Sequence, residues 1–176
     1  MATGQIVRGL SDLAVFVLGA ADAPGSKVDV PGARAFDVSV DSDSDELEGD
    51  DTIIAVAYGS KKGSGSMEMG KANLTARAAM LGGTVTTSGT TPNEVSTWDE
   101  PAGANQIWVK ISAQAKLADV AGGAYQVDIN KAKAGGSSES FGQSAWNTPS
   151  LDFSFVENQA GKFLTRQLME TAVPLA

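Results

Sequence analysis

The sequence predicts a mainly β protein, a sandwich or barrel core carrying one short α-helix. Three observations carry that expectation. Apolar and polar residues alternate with a period of two in several segments. Twenty glycines and frequent Ser and Thr among 176 residues supply many turns. Only one segment combines helical spacing with start and stop signals. A chain of this length is expected to form a single domain, residues 1–176, with enough surface to bury a core.

Strands are expected at Leu13–Leu18, Arg34–Val40, Thr52–Gly59, Ser64–Gly70, Thr84–Thr87, Gln106–Lys116, Tyr125–Lys133, Ser138–Gln143, Leu151–Val156 and Phe163–Thr171. Turn chemistry separates most of them: "VPGA" at 30–33, "SKKGSG" at 60–65, "VAGG" at 120–123, "KAGG" at 133–136 and "ENQAGK" at 157–162. In "RAFDVSV", Phe36, Val38 and Val40 share a face opposite Asp37 and Ser39. In "QIWVKISAQAKL", Ile107, Val109, Ile111, Ala113, Ala115 and Leu117 share a face. Trp108, Lys110, Ser112, Gln114 and Lys116 take the other. "AYQVDINKAK" sets Tyr125, Val127 and Ile129 against Gln126, Asp128 and Asn130. Strands with one polar face suit an antiparallel sheet packed on one side and wet on the other.

The helix is "NLTARAAML". Asn73 stands as N-cap, Leu74, Ala78 and Leu81 follow at helical spacing, and Gly82–Gly83 supply the stop. Such a short helix needs a sheet to dock on. Residues 88–105 and 134–149 read as loops.

Composition excludes several functions. The chain has no Cys and no His, which removes disulfides, thiolate metal sites, the commonest zinc ligand and the commonest general base. No G-x-S-x-G elbow occurs. The expectation is a non-enzyme without cofactor or metal. A net charge of −8 argues against wrapping nucleic acid. The apolar run "LAVFVLGAA" (13–21) imitates a signal peptide, but Asp12 abuts it and it is too short to span a bilayer. It reads as a buried first strand, with neither export nor a membrane span expected.

Two motifs fail on inspection. "GSMEMGKA" (65–72) imitates a phosphate-binding loop, yet Ala72 replaces the Mg²⁺-binding hydroxyl and Glu68 would repel phosphate. "DSDSDELEGDD" (41–51) holds seven acids in eleven residues and starts like a calcium loop. Glu46 and Thr52 stand where that loop needs Gly and Glu. The stretch reads as a solvated connector between two strands. "SAWNTPSLDFSF" (144–155) interleaves aromatics with no basic stripe, which points to packing.

The order of features resembles the major tail tube proteins of long-tailed bacteriophages over roughly residues 8–175. The resemblance runs through "RGLSDLAVFVL", "VDVPGARAFDVSVDSDSDELEGDDTIIAVAYGSKKGSGSMEM", "NLTARAAMLGGTV", "NQIWVKISAQAK", "AYQVDINKAKAGGSSESFGQSAWNTPSLDFSF" and "GKFLTRQLMETAVP". Nothing in it extends to the added C-terminal immunoglobulin-like domain of some members. The resemblance implies a structural virion protein. Its subunits form hexameric rings stacked head to tail, and long hairpins merge into one β-barrel around a lumen that passes DNA. It implies self-association, contacts with tape-measure, terminator and distal tail proteins at the tube ends, and no specific DNA binding. The location it implies is the virion tail, after assembly in the host cytoplasm. Lumen-facing candidates are Asp37, Ser39, Ser112, Gln114 and Asp128. Asp43, Asp45, Glu46, Glu48, Asp50 and Asp51 would form an inter-subunit connector, with Lys61, Lys62, Arg34 and Arg77 as basic partners. Two other readings stay open. One is a ring-forming secretion-tube or baseplate component. The other is a β-sandwich carbohydrate-binding or adhesion module using Trp98, Trp108 and Trp146.

Overall fold

The computed structural model describes residues 4–49, 52–103, 107–144 and 146–175. It is mainly β, with antiparallel strands in a sandwich-like arrangement and one short helix. The strands are β1 (Val7–Leu18), β2 (Pro24–Asp29), β3 (Ala33–Gly49), β4 (Thr52–Met69), β5 (Val85–Ser88), β6 (Val95–Trp98), β7 (Val109–Leu117), β8 (Ala124–Ser138), β9 (Ser150–Phe155) and β10 (Leu164–Met169). The main sheet runs β2-β1-β7-β8-β9-β4-β3, and β10 pairs with the first half of β8. β5 and β6 form a separate small hairpin.

The alternation expected in β7 sets the core. Val109, Ile111, Ala113 and Leu117 are buried on one face. Val109, Ile111 and Ala113 share one cluster with Leu13 and Val15 of β1, Met67 and Met69 of β4, Ile129 of β8, and Leu151, Phe153 and Phe155 of β9. The helix α1 (Leu74–Leu81) docks Ala76, Met80 and Leu81 on this cluster. Its caps are those the sequence names. The Asn73 side chain accepts from the Ala76 N–H at 3.0 Å, and Gly82 takes φ +85° to end the last turn.

Several boundaries differ from expectation. "SKKGSG" is not a turn: β4 runs unbroken through it for 18 residues. Pairing explains this, because Gly63 and Gly65 lie opposite Phe155 and Phe153 of β9. A Cβ on either glycine would enter the facing phenylalanine ring, so glycine is required by packing there, not by a reversal. "KAGG" likewise stays inside β8, held by its ladder to β9. The strand expected at Ser138–Gln143 does not form, since β8 ends at Ser138. No strand is expected at β2, and β6 falls within residues 88–105, which read as loop. β7 begins at Val109, and Gln106 lies outside the described residues. Among the described residues, no helix is long and apolar enough to cross a membrane.

Candidate functional site

The longest hairpin divides into two parts. From Ala33 to Val40 on β3 and Gly63 to Met69 on β4 it belongs to the sheet, because β9 pairs with β4 at residues 63–68. Beyond that, among the described residues, 41–49 and 52–62 pair only with each other. At about 3.3 Å per residue, this two-stranded ribbon reaches on the order of 30 Å past the sheet. Residues 41–49 of the acidic stretch are therefore strand, not connector. Asp41, Ser42, Ser44 and Glu46 occupy ladder positions opposite Lys62, Lys61, Tyr58 and Val56. Asp43 sits in the bulge between Ser42 and Ser44, where its carboxylate meets Lys62 at 2.9 Å. The backbone at Asp45 and Glu48 pairs with Ala57 and Ile53, while Asp50 and Asp51 lie outside the described residues.

An isolated ribbon of this kind has two costs. It exposes unpaired N–H and C=O groups along both edges, and it lacks a core on either face. Its side chains do not compensate. Ile54 is 67% exposed, Val56 44% and Tyr58 78%. Directly opposite residues share a face, so Glu46 and Ser44 lie on the same side as Val56 and Tyr58. One face thus combines an apolar stripe with an acid.

Where the hairpin joins the sheet, its outward face is acidic and rich in hydroxyls. Cross-strand rows read Asp37–Ser66–Asp152 and Ser39–Ser64–Ser154. These six residues line a shallow hollow. Asp37 and Ser39 are exposed there, in keeping with their polar-face assignment.

The other three lumen candidates are corrected. Ser112, Gln114 and Asp128 are buried, with exposures of 1%, 7% and 6%. The cause for the first two is the C-terminal segment, which lies against the polar face of β1 and β7. Gln114 Nε2 donates to the Val173 carbonyl at 2.9 Å, and the Ala172 N–H donates to the Gly122 carbonyl. Lys27 Nζ donates to the Leu175 carbonyl, and Leu175 packs with Ala14 and Phe16. Asp128 accepts from Gln126 Nε2 and lies 3.9 Å from Lys110. Alternation identifies the polar side of a strand but not what later chain lies over it.

The proposed basic partners are corrected in part. Lys62 already pairs with Asp43 of its own chain, an exposed contact that raises the Lys62 pKa. Arg77 is buried, paired with Glu139, and sits 6.0 Å over the Trp98 ring. It is engaged within its own chain.

The remaining candidates resolve into packing, Phe153 and Phe155 of the 144–155 stretch included, with Trp146 the exception. Met67 and Met69 of the phosphate-loop imitation are core residues of β4, so no cradle forms. Among the described residues, no three acids gather in a metal-binding group. The three tryptophans differ in environment. Trp98 donates to the Gly82 carbonyl at 2.9 Å, and Trp108 lies against Lys131 and Lys133, each 4.9 Å from its ring. Trp146 is 92% exposed.

One contact had no sequence signal. Ala21 and Asp22 both take positive φ, +55° and +56°, at the corner between β1 and β2. The Asp22 carboxylate accepts from Lys131 Nζ and from the Gln159 N–H, tying that corner to β8 and to the β9–β10 turn. The Lys131 hydrogen bond, then the Gln159 N–H, hold the Asp22 pKa below the usual carboxylate value.

Searches against protein-family models and against curated proteins found no match.

Proposed function

We propose that this chain is the repeating subunit of a hollow tube, a structural protein of a long-tailed bacteriophage that closes into hexameric rings and stacks them head to tail. The observation that carries the reading is the free ribbon at residues 41–49 and 52–62, with both edges unpaired and Ile54, Val56 and Tyr58 in solvent. A second copy of the same ribbon removes that cost. In a ring, β4 of one copy lies beside β3 of the next, and the two run antiparallel. Edge pairing then closes on itself, the same contact repeating around the axis. The sequence resemblance to tail tube proteins points the same way.

The acid and hydroxyl rows of β3, β4 and β9 suit a bore that DNA passes without sticking, since Asp37 and Asp152 repel phosphate and Ser39, Ser64, Ser66 and Ser154 stay hydrated. Electron microscopy and sedimentation across concentration and salt test the reading. Rings or tubes are expected. Monomers that persist under all conditions overturn it.

A further inference from the structure

Residues 172–175 follow β10 as a strap outside any strand, laid along the polar face of β1 and β7. Among the described residues, three hydrogen bonds hold it, and each uses a backbone group of the strap. The Ala172 N–H donates to the Gly122 carbonyl at 2.7 Å. The Val173 carbonyl accepts from Gln114 Nε2 at 2.9 Å, and the Leu175 carbonyl accepts from Lys27 Nζ at 2.6 Å. Of these four residues only Leu175 is buried, against Ala14 and Phe16. Val173 and Pro174 face solvent. Pro174 fixes its own φ and keeps Val173 extended.

The strap fits this face incompletely in two places. Ser112 beneath it is 1% exposed, and its hydroxyl oxygen has no hydrogen-bond partner among the described residues. A buried hydroxyl left unpaired carries its full desolvation cost, so closing the strap opposes itself there. Beside Ala172, a hollow of about 470 Å³ continues along the face, bordered by Ser11, Asp12, Gln114, Lys116 and Gly122. The strap leaves this hollow unfilled because its start is tethered. Met169, just before it, is fixed in β10 opposite Ala124 of β8.

We propose that this face is an acceptor for an extended segment of a partner protein, one that carries a proline followed by an apolar residue, and that residues 172–175 occupy it in cis until such a segment displaces them. The strap seated there defines the chemistry of the occupant. The three bonds recognise backbone groups spaced along an extended chain, so they tolerate many side chains. Ala14 and Phe16 select an apolar residue at the place of Leu175. A proline before it keeps the segment extended in advance and lowers the entropy lost on docking. A segment free of the β10 tether also fills the hollow beside Lys116, a contact the strap forgoes. The strap, held close by its own chain, screens out weak ligands by its high effective concentration. The contact uses neither the ribbon nor its edges, so the proposal does not rest on self-assembly.

The absence of cysteine makes the test clean. Full-length chain with Ser112→Cys is treated with a thiol reagent at concentrations where sedimentation shows monomer. Labelling is expected to be slow, and about tenfold or more faster once Leu175→Ala is added. An excess of a synthetic peptide of residues 170–176, ETAVPLA, should slow it again, and the same peptide with Leu175→Ala should not. Equal labelling with and without Leu175→Ala overturns the cover. Faster labelling that the peptide leaves unchanged overturns the acceptor. Protection that grows with chain concentration places a second copy on the face and overturns occupancy in cis. Where Ser112→Cys prevents folding, hydrogen exchange at the Ala172 N–H of the wild-type chain reads the same event. Excess peptide should speed that exchange, and an unchanged rate overturns the proposal. Each of these failures leaves the tube reading standing.

Discussion

The two halves of the β3–β4 hairpin share strands, ladder type and alternation, yet only one half is covered. In the half that belongs to the sheet, Phe153 and Phe155 of β9 lie over Gly65 and Gly63, and Phe36 stacks on Phe153 with ring centroids 5.8 Å apart. In the projecting half, Ile54, Val56 and Tyr58 have the size for a core and face water. A strand that is apolar in both halves but packed in one marks where the covered sheet ends and the bare ribbon begins. Cover, not composition, separates the two.

The comparison predicts opposite effects of equivalent truncations. Phe153→Ala should cost about 3–5 kcal/mol of monomer stability, measured by denaturant unfolding, because it empties a packed layer. Leu175→Ala should cost about 2 kcal/mol, since Leu175 is 3% exposed against Ala14 and Phe16 and covers the second face of β1. An unchanged midpoint for that variant would mean the C-terminal segment does not hold the polar face closed. Asp22→Asn should lower stability at neutral pH. The Asp22 pKa is lowered in the folded chain, so its contribution is complete above the unfolded value near 4. It fades as pH falls through the lower folded value. Wild-type and variant melting curves should therefore converge in acid, and a gap that widens there would contradict the assignment.

Smaller still, Tyr58→Ala should leave monomer stability within about 0.5 kcal/mol while reducing assembly. A loss above about 1 kcal/mol would show that the ribbon packs on its own body and would erase the contrast between the halves. Lys62→Ala should leave the unfolding midpoint unresolved from wild type, because its pair with Asp43 is solvent-exposed and screened.

The amino-acid sequence alone establishes the β class, the faces of β7 and the helix Leu74–Leu81 with both its caps. Each of these rests on short-range rules: alternation, N-cap chemistry, a positive-φ stop. It also marked residues 41–51 as acidic and out of the core, and it placed Asp37 and Ser39 on a polar face. It could not show that the acids form strand, because charge favours a loop locally and only pairing with β4 overrides that preference. Nor could it separate Asp37 and Ser39 from Ser112, Gln114 and Asp128, which follow the same alternation. Tertiary structure alone decided that difference. Residues 170–175, more than fifty positions downstream of Gln114, lie across the β1–β7 face and bury Ser112 and Gln114. The irregularity of β1 between Arg8 and Asp12 is of the same kind, visible only when β1 meets β7. Local patterning fixes which way a side chain points, and long-range packing fixes what it meets.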